Sequence, residues 1–387
     1  MTPIRHSKRL DKVPPFLFDE LDKAKQKARA SGKKVIDLAI GDPDLPTPSH
    51  IIESMRAAVT RPSNHQYPGY RGTAQLRRGI AAWFLRRYGV ELDPETEILV
   101  LIGSKEGIGH LPFALIDPGD AVLVPDPGYP VYANTSILAG GEVRYFALRE
   151  EESFLPRTEE LSSLGKARLI FLNYPNNPTG AVAEKKELDK MVELAAATGA
   201  VICNDAAYNE LTFDGFRSPS ILECEGAMDC AIEIHSFSKT FNMTGWRIGF
   251  AVGNKDVLAA LGRLKVNLDS SVFGAIQDAA LSALSSNYDE NLRAYEERRK
   301  LAFDWLSRLG CSFFRPKGSF YVWGRVPRDF SSVSFAVALL EKAGVSVAPG
   351  SGFGSNGEGW FRMALTRPGS EIAEGFQRIS GLKLWTN

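Results

Sequence analysis

Short apolar runs alternate with helical patterns through the middle of this chain, and that alternation restricts the fold more than any other feature. Glu97–Ile102 (EILVLI), Asp120–Val124 (DAVLV), Arg168–Asn173 (RLIFLN), Ala200–Asn204 (AVICN), Ala231–His235 (AIEIH) and Ile248–Val252 (IGFAV) read as buried strands. Between Lys186 and Ala197, the residues Leu188, Met191, Val192 and Ala195 recur at helical spacing and form one apolar face. Apolar strands separated by amphipathic helices predict an α/β fold, with a mostly parallel sheet covered by helices on both faces.

The two ends follow another pattern. Phe18–Ala30 reads as a charged amphipathic helix and Asn291–Leu309 as a long polar one. Strand-like runs follow at Ser319–Trp323 (SFYVW), Val345–Ala348 and Trp360–Leu365 (WFRMAL), then a final helix. With 387 residues, the chain exceeds the roughly 250–300 beyond which single cores split. The expected division is a large domain over residues 46–289 and a smaller α+β domain from residues 1–45 and 290–387.

Charge and cysteines narrow the function classes. Lys+Arg and Asp+Glu both total 46, so net charge is zero and offers no case for nucleic acid or membrane as a partner. Cys203, Cys224, Cys230 and Cys311 are widely spaced without a CxxC pair, which argues against a disulfide framework or a zinc site. No metal is expected. The basic N-terminus runs into Asp11, Lys12 and Pro14-Pro15 rather than the apolar stretch of a signal peptide, and no run nears the roughly 18 residues that span a bilayer. A cytoplasmic location is the expectation.

The chemistry concentrates where strands end. Ser236-Phe237-Ser238-Lys239 directly follows a buried strand, and Arg247 lies eight residues after Lys239. A lysine held there is desolvated, with a lowered pKa, ready to condense with an aldehyde. The flanking hydroxyls and the guanidinium supply what a phosphate dianion requires. Asp205, in Asn204-Asp205-Ala206-Ala207-Tyr208, also ends a strand, where ligands of open α/β sheets gather. A carboxylate there can keep a pyridine nitrogen protonated: at about 4 Å and an effective dielectric of about 20 the attraction is about 4 kcal/mol, or roughly 3 pKa units. The same Asp also reads as a helix cap. In Tyr174-Pro175-Asn176-Asn177-Pro178-Thr179-Gly180, two prolines and a glycine fix a turn from which Asn177 can donate its amide. Gly103-Ser104-Lys105-Glu106-Gly107 places a glycine and a Ser at the N-cap position before a predicted helix start, a pattern that suits either a phosphate or a plain cap.

Together and in this order, these segments resemble the class I and II aminotransferases, pyridoxal-phosphate enzymes of the aspartate aminotransferase fold. The resemblance runs from about Asp37 to the C-terminus, and its most specific part is Ser236–Gly249. It implies that Lys239 is the Schiff-base lysine and proton carrier, that Asp205 partners the pyridine nitrogen, and that Tyr208 and Asn177 bond the ring's phenolate oxygen. It further implies a phosphate cradle of Ser104, Lys105, Ser236, Ser238 and Arg247, and a stacking aromatic at Tyr129 in Pro127-Gly128-Tyr129-Pro130. Tyr67 resembles the tyrosine that reaches the phosphate from a second subunit, which implies a homodimer with shared sites. Arg362, in Phe361-Arg362-Met363-Ala364, matches the arginine that grips the substrate α-carboxylate, a bidentate task suited to a guanidinium. Gly41, in Ile40-Gly41-Asp42-Pro43-Asp44, matches a glycine whose backbone lies against the substrate.

A narrower resemblance carries the substrate expectation. Asn64-His65-Gln66-Tyr67-Pro68, Ile102–Gly107, Tyr174–Gly180 and His235–Gly249 are similar to the LL-diaminopimelate aminotransferases of bacteria and archaea. That implies LL-2,6-diaminopimelate as amino donor, 2-oxoglutarate as acceptor and a place in lysine biosynthesis, with Lys105 or a partner residue near Tyr67 reading the distal group. The Ser-Lys-Glu-Gly run also occurs in alanine-type enzymes, so alanine- or aspartate-type transfer stays open, as does a lyase on the same fold.

Overall fold

The computed structural model describes residues 4–14, 17–286 and 288–385, with only the backbone of 17–20. Its strands are β1 (Ile36–Asp37), β2 (Ile98–Leu101), β3 (Ala121–Asp126), β4 (Glu142–Ala147), β5 (Leu169–Leu172), β6 (Val201–Asp205), β7 (Ala231–Ser236) and β8 (Gly249–Gly253). After a long helix, Asp289–Arg308, come β9 (Phe313–Phe314), β10 (Tyr321–Arg325), β11 (Val345–Ser346), β12 (Ala348–Pro349) and β13 (Trp360–Ala364).

β2 through β8 form one sheet in the order β2-β8-β7-β6-β5-β3-β4. The pairs β3–β4, β3–β5, β5–β6 and β6–β7 are parallel, and only β8 runs against its neighbours. The inner strands are largely apolar because the sheet is covered on both sides, whereas the edge strand β4 (EVRYFA) leaves Glu142 and Tyr145 exposed. Ile98, Val100, Leu123, Ile170 and Ile202 enter one core, while the alternating Leu99, Leu101, Val122, Leu169 and Cys203 enter the other. The helix Lys185–Thr198 buries Leu188, Met191, Val192 and Ala195, as its periodicity predicts. A capping box between Glu184 and Glu187 starts that helix, and Gly199 at φ 73° ends it.

The second sheet is antiparallel, in the order β12-β13-β10-β9, while β1 pairs in parallel with β11. Ile36 and Leu38 share a core with Tyr295, Phe335, Phe361 and Phe376, and with Tyr208 and Leu211 from the segment after β6. The run Val345–Ala348 reads as one strand in sequence but divides in the structure. β11 follows β1, then the chain passes through buried Val347 and pairs instead with β13. All four cysteines are buried and unpaired. Among the described residues no helix is long and apolar enough to cross a membrane.

Candidate active site

The strand directions decide which side chains meet. The C-terminal ends of β2, β6 and β7 share one edge of the large sheet, and the reversed β8 starts there, with Gly249 opposite both Ser236 and Leu101. Arg247 therefore enters the same edge that Lys239 and Asp205 leave. A cavity of about 400 Å³ opens there, within the size range of small-molecule sites. Ser104, Lys105, Tyr129, Asn177, Asp205 and Tyr208 line it, as do Ser236, Ser238, Lys239, Arg247, Gly41 and Arg362. Tyr67 does not line this chain's cavity and is 89% exposed.

Asp205, the last residue of β6, is buried, and desolvation pushes its carboxyl up to about 6. Tyr132 opposes that rise by donating its hydroxyl to Oδ2 at 2.7 Å, and the Ala207 amide donates to Oδ1 at 3.1 Å. The cap reading of Asp205 is met in part, since Oδ1 caps the turn that follows β6. Asn204 points elsewhere, donating to the buried Glu233 at 2.9 Å.

Lys239 stands in the short helix Phe237–Thr240 that follows β7 directly, capped by the Ser236 hydroxyl, which accepts from the Ser238 amide at 3.2 Å. Its Nζ donates to the Gly41 carbonyl at 2.7 Å. Burial pulls the ammonium down to about 8, with Asp42 opposing and Arg362 and Arg247 adding to the fall.

At the other end of the cavity, close approach depends on glycines. A Cβ on Gly103 would lie 2.3 Å from Arg247 Nη2, and one on Gly249 would lie 2.9 Å from the Ser104 amide nitrogen. The N-cap of the helix Ser104–Leu115 is Gly103 at φ 77°, so Ser104 is its first residue rather than its cap. The left-handed backbone at residue 103 turns the chain out of β2 and leaves the cap without a side chain. Ser104 is thereby released from capping and lines the cavity.

Arg362, in the middle of β13, is 3% exposed. Its Nη1 donates to Asn177 Oδ1 and its Nη2 to the Ala39 carbonyl, each at 2.6 Å. The guanidinium lies over the rings of Tyr321, at 4.1 Å, and Phe353, at 4.6 Å. Asn177 thus commits its oxygen to Arg362 and keeps its NH2 as the donor available to a ligand. Tyr208 Oη is 2.9 Å from Tyr321 Oη, and burial raises the Tyr208 phenol further. Tyr129 meets Tyr132 edge to face, with ring centroids 5.6 Å apart.

Sequence reasoning missed Tyr132, Tyr321, Phe353 and Asp42. Tyr132 follows Tyr129 at helical spacing, which is a weak signal. Tyr321 reaches the site only through the pairing of β10 with β13, and no local pattern reports that register.

The comparisons with known proteins agree with this geometry. The profile of the aminotransferase class I and II family matches residues 33–379. The chain is 50% identical over 380 residues to the LL-diaminopimelate aminotransferase of Desulforudis audaxviator, covering 97% of each. It is 46% identical over 383 residues to that of Aquifex aeolicus, covering 98% of this chain and 99% of the other. Among solved structures, substrate-bound BacF from Bacillus subtilis superposes with a TM-score of 0.95 at 39% identity, covering 98% of both chains. The aspartate aminotransferase of Thermotoga maritima superposes at 0.91 with 31% identity, covering 97% of this chain and 99% of that one. The fold is the aspartate aminotransferase fold. The chain belongs to the class I and II aminotransferases.

Proposed function

We propose that this aminotransferase works with pyridoxal 5'-phosphate, taking its amino group from LL-2,6-diaminopimelate and passing it to 2-oxoglutarate as a step of lysine biosynthesis. The observation that carries the substrate is the 50% identity, across 97% of both chains, to a protein named for that reaction.

The donor set fits the cofactor. Asp205 is a buried carboxylate that a cationic ring nitrogen would hold ionised, and Tyr208 and Asn177 offer donors to a ring oxygen. Ser104, Lys105, Ser236, Ser238 and Arg247 gather hydroxyls, cations and a helix start at one end of the cavity, where Gly103 and Gly249 keep the walls free of Cβ atoms. Tyr129 supplies the stacking face. Tyr67, exposed and outside its own chain's cavity, completes the phosphate end of a second copy in a homodimer. When bound, pyridoxal phosphate supplies an aldehyde that takes up the amino group and a ring that accepts the electron pair left at Cα.

The chain's own residues do the rest. Arg362 binds the substrate α-carboxylate and fixes its orientation beside Lys239. With its ammonium pulled down to about 8, Lys239 holds a usable fraction of free amine near neutral pH, so its Nζ both bonds the aldehyde and moves the proton from the substrate Cα. Asp42 lines the same cavity, where its charge acts on the Lys239 ammonium without a direct ion pair among the described residues, whereas Asp22, which also lines it, is taken by Lys25. Asp42 is therefore placed to accept the distal ammonium of a diamino acid. The test is glutamate formation from LL-diaminopimelate and 2-oxoglutarate, with and without added cofactor. A lyase would instead release product without any keto acid, and that result contradicts the reading.

A further inference from the structure

We propose that Tyr321 is a positioning residue that links the arginine seat of the substrate carboxylate to the hydroxyl of Tyr208, an inference that rests on the cofactor reading above. Tyr321 is 3% exposed, in β10 beside the β13 strand that carries Arg362. Three contacts converge on it. Its hydroxyl is 2.9 Å from that of Tyr208. Its ring lies under the Arg362 guanidinium at 4.1 Å. The same hydroxyl stands where a side chain on residue 41 would begin, 2.1 Å from an ideal Cβ, and the Gly41 carbonyl receives Lys239.

Proton counting gives the contact a direction. Each phenol carries one proton. Once Tyr208 commits its own to a ring oxygen of the cofactor, the contact between the two hydroxyls persists only with Tyr321 as donor. Donors in series polarise one another, by roughly 10–30% per bond. Tyr321 therefore strengthens the hold of Tyr208 on an anionic ring oxygen. The face of its ring acts separately, supporting Arg362 by a cation–π contact. Removing the hydroxyl alone separates the two effects.

The experiment is a pH titration of the visible absorbance of purified, cofactor-loaded enzyme for wild type, Tyr321→Phe, Tyr208→Phe and the double variant, together with kcat and KM for the amino donor. The expected result for Tyr321→Phe is a midpoint raised by roughly a few tenths of a pH unit to one unit. Its kcat should fall several-fold while KM stays within about twofold, because the ring remains under Arg362. In the Tyr208→Phe background, removing the Tyr321 hydroxyl should add no further shift, since its acceptor is gone. An unchanged midpoint in Tyr321→Phe, or shifts that simply add in the double variant, would overturn the inference. A wild-type protein with no visible band after cofactor addition would overturn the cofactor reading, and this link with it.

Discussion

Arg362 Nη1 donates to Asn177 Oδ1 at 2.6 Å, joining a strand of the small antiparallel sheet to the loop that leaves β5 of the large one. This bond fixes the amide of Asn177 with its NH2 available and holds the guanidinium in one plane. Arg362→Lys keeps the charge but loses the two-pronged geometry. The expected outcome is a loss of roughly 10- to 100-fold in kcat/KM, because charge-assisted hydrogen bonds contribute about 1.5–3 kcal/mol. The loss should appear with amino donor and keto acceptor alike, since both present a carboxylate, and steady-state kinetics of the two half-reactions measure it.

Asp205 makes a prediction about the cofactor-free protein. Its carboxyl stands at about 6 when folded, against 3.8 for the free group. The folded state therefore holds the proton more tightly. The resulting stabilisation is fully present below about pH 4 and is lost as pH rises to about 6. Above that, apo Asp205→Asn should be the more stable protein, by on the order of 2–3 kcal/mol. The gap should close at pH 4, as followed by urea unfolding. In the loaded enzyme the same substitution should leave cofactor content largely intact and lower kcat severely, because ring protonation matters most in the transition state. Unchanged kcat with a raised KM would contradict that role.

Lys239 reverses the sign. Its ammonium stands at about 8 rather than 10.5, so the reactive free amine appears about two units of pH earlier than on an ordinary lysine. Cofactor capture by the apo protein, timed by stopped-flow absorbance, should accelerate with pH and level off above about 8. Borohydride reduction should then fix a pyridoxyl group on the peptide containing Lys239. Lys239→Ala should lose both the label and turnover.

Asp42→Asn removes one negative charge from the cavity wall without changing its shape. The expected outcome is a KM raised several-fold for LL-diaminopimelate and little changed for glutamate, which has no distal ammonium. Because Asp42 also holds the Lys239 ammonium up, the pH at which cofactor capture levels off should fall slightly in this variant.

The inner strands were legible in sequence because strands covered on both faces must be largely apolar, and Leu99 and Val100 show it by entering opposite cores. The edge strand β4 escaped because its exposed Glu142 and Tyr145 break the apolar run. Lys239, Asp205 and Ser236 were legible because strand ends carry chemistry in this architecture. Ser104 was placed at the N-cap position, one residue late, since the pattern does not reveal that Gly103 takes a left-handed conformation and is itself the cap. Tyr132 and Tyr321 escaped for another reason: their contacts depend on a helix orientation and a strand register between segments far apart in the chain. Tyr67 lies outside its own chain's cavity, so its expected role needs a second copy to be seen.

The most direct measurement compares kcat/KM for LL-diaminopimelate, alanine and aspartate, each with 2-oxoglutarate, on the purified enzyme. On the proposed role of Asp42, a donor with a distal ammonium gains a charge-assisted contact that alanine and aspartate cannot make. LL-Diaminopimelate should exceed both other donors by on the order of 100-fold or more. Alanine or aspartate as the best donor would contradict the proposed substrate and assign the chain to that reaction instead.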